Sequence, residues 1–357
     1  MQRLRIGSQK SAYDVVVGRG AWRTLRRFPL AHYSKVFVLT ERRLWNRWAD
    51  TFLRDGGLKR PNGILVPSGE TSKTLKMVER VAAELLERGA DRQALLIALG
   101  GGVVGDLGGF VASTYMRGID CVQVPTTVVA QVDSAVGGKT AVNVGAMKNL
   151  VGTFYPPRLV LADPVVLTSL GDRAFRSGLY EVVKHAILDG PTFFRQLETA
   201  VGSLRSGDPE ALEPVLLKAV KVKAEVVSRD EREAGLRRVL NLGHTFGHAL
   251  EEATRYRRFL HGEAVGWGLL GVTRLAEILG LLPSDEAERI AGLVRRVAPL
   301  PPIRDLEAAR ILSLLPRDKK AVAGRIHWVL PVRIGKVKIM PNVPPAAVRQ
   351  ALRDIQG

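Results

Sequence analysis

Cysteine is almost missing from this sequence: Cys121 stands alone among 357 residues. One thiol cannot close an internal disulfide, so a disulfide-stapled scaffold is excluded and a reducing, cytoplasmic setting is expected. Long apolar runs are missing too. The best stretch, around Leu95 to Ala112, is broken by glycines and by Asp106, too often to cross a bilayer. The basic segment Met1 to Lys10 is not followed by an apolar stretch, so no secretory signal is read there and no membrane partner is expected. The net charge is +18, yet the arginines fall singly or in pairs (Arg26-Arg27, Arg42-Arg43, Arg237-Arg238, Arg257-Arg258), with no long basic or aromatic-interleaved tract. Nucleic acid is therefore not expected as the principal partner, and a basic RNA-binding protein stands only as the non-enzyme alternative. No Gly-x-Ser-x-Gly elbow is present, which removes support for Ser/His/Asp catalysis. Cys121 lies in an apparent strand, where a core thiol is a better reading than a nucleophile.

What is present is enough for a sizeable core, with 46% hydrophobic and 25% charged residues, and the length predicts about two domains. The first half alternates strand and helix. Val36 to Leu39, Ile64 to Val66, Ala94 to Leu99, Val122 to Val124 and Leu159 to Leu161 are short apolar runs. Lys73 to Arg88 places Leu75, Val78, Val81, Ala82 and Leu85 on one helical face. That alternation predicts a parallel sheet covered by helices. After about residue 170 helices dominate: Phe175–Leu188, Leu212–Arg229, Thr245–Thr254, Ala264–Leu279 and Glu286–Val297. Strands return near Ile326–Leu330 and Lys336–Met340. The expectation is an α/β domain over 1–170 and a mainly α-helical domain over 171–357, with a ligand in a cleft between them.

Leu99 to Gly109 reads LGGGVVGDLGG, after a strand and opening a helix. Glycines let a pyrophosphate approach the backbone, and the helix N-terminus offers free N–H groups. Close helix packing explains the same glycines without a ligand. Val136-Gly-Gly-Lys-Thr140 resembles the end of a P-loop, but Asp133 stands where its first glycine is required, so ATP hydrolysis is rejected.

Four of the six histidines are suggestively placed. Asn241 to His248 puts His244 and His248 at i and i+4; Leu260-His261-Gly262-Glu263 begins a later helix; Tyr180 to His185 carries Glu181 and Lys184. Two histidines and a carboxylate make a zinc site with an open position. A hydrogen-bonded structural pair is the competing reading. Spacing alone would pair His244 with His248, and it cannot choose among Glu181, Glu251 and Glu263.

Taken together, these stretches resemble the 3-dehydroquinate synthase family. The blocks that carry the likeness are Gly100 to Asp106, Val124 to Ser134, Val136 to Asn143, Lys148-Asn149 and Leu240 to His248, within a match over nearly the whole chain. The resemblance implies a Rossmann-like N-terminal domain, a helical C-terminal domain, a homodimer, bound NAD and one divalent ion, Zn or Co. It implies Glu181, His244 and His261 as the metal ligands, with His248 moved to the substrate. For NAD it implies Ser68, Gly69, Glu70, Thr71, Ser72 and Lys73, then Gly102, Val103, Val104, Gly105 and Asp106. Thr126, Thr127, Lys139, Lys148 and the segment Val166, Leu167, Thr168, Ser169 complete that set. For the substrate it implies Arg117, Asp133, Lys139, Asn149, Lys184, Lys223, Arg237, Asn241 and His248, with one lysine of Lys319-Lys320. Glu233 is read as holding a water or a lysine nearby. Two departures stand out: Glu41 where the family often has Asp or Asn, and Met147 where a glycine usually precedes the Lys-Asn pair.

The implied substrate is a small anionic sugar phosphate, 3-deoxy-D-arabino-heptulosonate 7-phosphate. Arg117, Lys139, Lys184, Lys223 and Arg237 suit its carboxylate and phosphate. The implied reaction is transient oxidation by NAD, phosphate elimination, reduction and aldol closure to 3-dehydroquinate, the second step of the shikimate pathway. Lys184, Asn241 and His248 are the candidates for orienting and proton transfer. Other sugar phosphate cyclases and metal-dependent alcohol or glycerol dehydrogenases are the enzyme alternatives; the dehydrogenases lack the dense Lys/Arg set.

Overall fold

The computed structural model describes residues 1–7, 11–59, 62–145, 147–315 and 326–357. The chain divides into two compact units, Met1–Leu170 with Leu212–Arg232, and Gly171–Ala211 with Glu233–Gly357.

The first unit is built on β1 (Gln2–Ile6), β2 (Tyr13–Val17), β3 (Val36–Glu41), α1 (Arg42–Gly56), β4 (Asn62–Val66), α2 (Leu75–Glu87), β5 (Leu95–Gly100), α3 (Gly102–Thr114), β6 (Asp120–Pro125), β7 (Lys139–Val144), β8 (Met147–Phe154) and β9 (Leu159–Ala162). Seven strands form one sheet in the order β1-β2-β9-β6-β5-β3-β4. All pairings are parallel except β1 with β2. Every residue of β5 is buried, as an apolar strand covered on both faces requires. Its register sets Thr40 and Val124 beside Leu99, and Pro125 beside Gly100. Glu41, Gly100 and Pro125 therefore lie at the carboxyl ends of adjacent strands, the edge at which open α/β sheets bind ligands. Helix α3 packs closely on the sheet because its inner face is glycine: a Cβ on Gly105 would lie 2.9 Å from Gln123 Oε1, and one on Gly108 2.9 Å from Ala98 Cβ. β7 and β8 form a separate antiparallel hairpin.

The second unit holds α4 (Asp172–Asp189), α5 (Pro191–Leu204), α7 (His244–Ala253), α8 (His261–Ile278), α9 (Ser284–Val297), α10 (Ala308–Leu314), the hairpin β10 (Trp328–Arg333) with β11 (Lys336–Met340), and α11 (Pro345–Gln356). Most of α6 (Pro209–Arg229) groups with the first unit. α8 is the axis of the second unit. A Cβ on Gly262 would lie 1.8 Å from the Ser177 carbonyl oxygen of α4, and one on Gly268 1.7 Å from the Gly243 carbonyl oxygen at the start of α7. Only glycine at these two points lets α4 and α7 come so close to α8.

Candidate active site

That close approach brings three side chains of the second unit to one point. Glu181, buried on α4, lies with its Oε1 3.6 Å from His244 Nε2 and 3.3 Å from His261 Nε2. The donor atoms of the three residues all lie within 4.8 Å of one another. Tetrahedral zinc with N and O ligands at roughly 2.0–2.1 Å sets its ligand atoms about 3.3 Å apart. The spacing and chemistry of this set therefore fit a divalent ion. The far ring nitrogens are occupied in a way that supports this. His244 Nδ1 is 3.2 Å from the Leu242 carbonyl oxygen, and His261 Nδ1 is 3.3 Å from Glu251 Oε2. Holding Nδ1 fixes the ring and presents Nε2. Burial pulls the His261 imidazolium down, but Glu251 and Glu181 more than reverse this and raise it to about 10.

The choice among carboxylates, open on spacing, now has a geometry. Glu263 receives both Arg173 nitrogens, at 2.7 and 2.8 Å, and the Leu260 N–H at 2.8 Å. Glu251 backs His261, and Glu181 faces both imidazoles. Lys184, fully buried one turn along α4, pairs with Glu181 Oε2. The His248 ring centre lies 5.5 Å from that of His244 and 6.2 Å from that of His261. Arg237 is buried, and Asn241 Nδ2 donates to Glu233 Oε1 at 3.0 Å.

In the first unit, α3 begins at Gly102 with Gly101 before it, so the N–H groups of its first turn have no partner within the helix. Ser68 Oγ donates to Glu41 Oε2 at 2.7 Å, which gives the first departure from the family pattern a partner. Gly69 precedes a short turn, Glu70–Ser72, closed by Ser72 Oγ on the Gly69 carbonyl oxygen at 2.8 Å. Lys73 is buried and pairs with Asp106, and its Nζ also donates to Asn149 Oδ1. Lys223 Nζ reaches Asp133 Oδ1 at 2.6 Å. Thr126 is buried, and Thr127 Oγ1 accepts the Ala130 N–H at 3.1 Å. The side chains of Val104, Val166 and Leu167 belong to the core, so only their backbones could meet a nucleotide. Thr168 is exposed, and Ser169 Oγ accepts the Trp48 indole N–H at 2.8 Å. Lys139 is exposed and Lys148 half-buried on the β7–β8 hairpin, which stays paired through Met147. Arg117 is exposed and follows Met116, both with left-handed backbone (φ 69° and 49°). Lys319 and Lys320 lie outside the described residues. One contributor escaped sequence reasoning, and another was left as an open candidate. Asn143 ties the hairpin to the Glu70 turn. Glu251 had been only one of three candidate carboxylates, although its place one turn beyond His248 was a usable signal.

A glycine-led helix on a parallel sheet, with a helical unit that carries a Glu/His/His cluster, is a fold shared with solved sugar phosphate cyclases and alcohol dehydrogenases. The family model for the 3-dehydroquinate synthase N-terminal region matches residues 63–177, and that for the C-terminal region matches 178–321. A 3-dehydroquinate synthase from Koribacter versatilis (strain Ellin345) is 44% identical over 364 residues, covering 100% of this chain and 98% of that one. One from Solibacter usitatus (strain Ellin6076) is 41% identical over 349 residues, covering 98% of both. Among solved structures, 2-epi-5-epi-valiolone synthase from Streptomyces hygroscopicus subsp. jinggangensis 5008, with NAD+ and Zn2+ bound, has a TM-score of 0.85 at 29% identity, covering 99% of this chain and 98% of that one. The chain belongs to the 3-dehydroquinate synthase family.

Proposed function

We propose that the chain is a carbon–oxygen lyase that converts 3-deoxy-D-arabino-heptulosonate 7-phosphate to 3-dehydroquinate and phosphate. The observation that carries the reading is the carboxylate of Glu181 facing the Nε2 atoms of His244 and His261, in a chain that matches this family along its length. Glu181, His244 and His261 would hold a zinc or cobalt ion. The glycine turn, the Ser68–Lys73 segment, Thr126-Thr127, Lys139, Lys148 and Val166–Ser169 would hold NAD. When bound, NAD accepts and returns a hydride, and the divalent ion lowers the pKa of the substrate alcohol. The chain's own residues do the rest. Lys184 pairs with Glu181 and offers a buried cation. Arg237, Lys223 and Arg117 neutralise carboxylate and phosphate. Asn241 orients hydroxyls from its position on Glu233, and His248 holds or moves a proton. One substrate conformer, fixed by these groups, favours a single aldol closure. We read 1–170 as the NAD domain and 171–357 as the metal and substrate domain, except that Leu212–Arg232 groups with the first, in a cytoplasmic homodimer. The β7–β8 hairpin supports the dimer, because Met147, Leu150, Val151 and Phe154 leave large apolar side chains exposed. No helix of the described residues is long and apolar enough to cross a membrane.

The test is phosphate release from the heptulosonate phosphate by the purified protein with NAD+ and Zn2+ or Co2+. Phosphate is expected without net NADH, because the hydride returns to the product. Steady NADH accumulation, or no phosphate, would overturn the reading.

A further inference from the structure

Asn143 stands outside every group assigned so far, yet both ends of its amide are committed. Its Nδ2 donates to Glu70 Oε1 at 2.8 Å, and its Oδ1 accepts the Asn149 N–H at 2.8 Å. Its own backbone N–H donates to the Lys73 carbonyl oxygen at 2.8 Å, and the neighbouring Thr74 forms a parallel bridge to it. From the opposite side, Lys73 Nζ reaches Asn149 Oδ1 and Asp106. The Asn149 backbone is left-handed, with φ 53°, a region asparagine tolerates, and its surroundings hold it there. The surroundings here are Asn143 at its N–H and Lys73 at its side chain.

We infer that Asn143 is a positioning residue that clasps the Glu70–Lys73 segment to Asn149, so that cofactor and substrate contacts order together. The inference rests on the proposed reading in which Glu70 and Lys73 meet NAD and Asn149 meets the substrate. Either contact then orders part of the hairpin that the other also needs, which is a coupling through shared conformational order.

Asn143→Ala removes both side-chain bonds. Each is worth a factor of roughly three to ten. The NAD+ dissociation constant, measured calorimetrically on zinc-loaded protein, and the KM for the heptulosonate phosphate should therefore both rise about tenfold, with kcat moving much less. Asn143→Asp keeps the acceptor for the Asn149 N–H but sets a second carboxylate against Glu70. It should restore most of the KM while leaving NAD+ binding weak, a split that a general loss of structure would not produce. Both constants within about twofold of wild type in Asn143→Ala, or no difference between the Ala and Asp variants, would overturn the inference. If Asn143→Ala does not fold, the Asp variant against wild type carries the same split. Failure of the underlying reading shows separately: Lys73→Ala and Asn149→Ala would then change neither constant.

Discussion

Replacing Glu251 by glutamine should weaken metal binding without removing a ligand. Glu251 is buried on α7, and its Oε2 lies 3.3 Å from Nδ1 of His261, whose Nε2 faces Glu181. The amide has the same shape but no charge: its oxygen can still accept from Nδ1–H, but a neutral acceptor holds the tautomer less firmly and no longer strengthens Nε2 as a donor. Loss of such an outer partner typically costs about 10- to 100-fold in metal affinity, or roughly 1.4 to 2.7 kcal/mol. Two observations favour the lower end. The contact is long, and His244 keeps its own anchor on the Leu242 carbonyl oxygen at 3.2 Å. The expected loss is therefore about tenfold. It can be read by competing Zn2+ against a chromogenic chelator, with the visible spectrum of Co2+-loaded protein reporting the ligand geometry. Unchanged affinity with an unchanged cobalt spectrum would refute the reasoning. A loss beyond about a thousandfold would make Glu251 a ligand itself. The ion would then sit among His248, Glu251 and His261, whose donor atoms also lie within 4.8 Å of one another.

Gly262→Ala should be far more damaging than an ordinary helix substitution, because its Cβ would meet the Ser177 carbonyl oxygen at 1.8 Å. A loss of about 3 kcal/mol or more in denaturant unfolding is expected, with metal affinity falling alongside; a variant that keeps both would show that α4 and α8 need not touch. Cys121 should resist alkylation in the folded protein at mildly alkaline pH, since burial pushes its thiol up to about 12 and the thiolate forms only as the pH approaches that value. Alkylation at the same rate with and without urea would contradict this.

The parts of the fold legible in the sequence were those with a strong period or a continuous apolar run. β5 and β6 are covered on both faces, so their side chains leave no ambiguity. The elements that went unread lack that signal. β1 is a partly exposed edge strand, and β8 is exposed or half-buried throughout. α1 carries so many charges that its buried Trp48, Ala49 and Phe52 are hard to see as a stripe. The site was legible in composition but not in selection. Spacing within one helix predicts the neighbours His244 and His248, whereas Glu181 and His261 meet because α4 crosses α8 at a glycine. That is a tertiary contact with no local period. The resemblance to a family supplied what periodicity could not.

The electrostatics of this cluster bear on why, in the proposed reading, a cation and then an anion would bind there. Glu181 and Glu251 bring two negative charges. Lys184 pairs with Glu181, and His261 lies between Glu181 and Glu251. Each carboxylate thus has a partner of opposite or hydrogen-bonding character, which is how two carboxylates are tolerated at 0% and 4% exposure. A divalent ion held by Glu181, His244 and His261 would add positive charge to this cluster. A buried positive charge next to an open coordination position stabilises an anionic oxygen in whatever occupies that position. A neutral polyol meets this only by losing a proton, while a substrate carrying carboxylate and phosphate brings compensating charge with it.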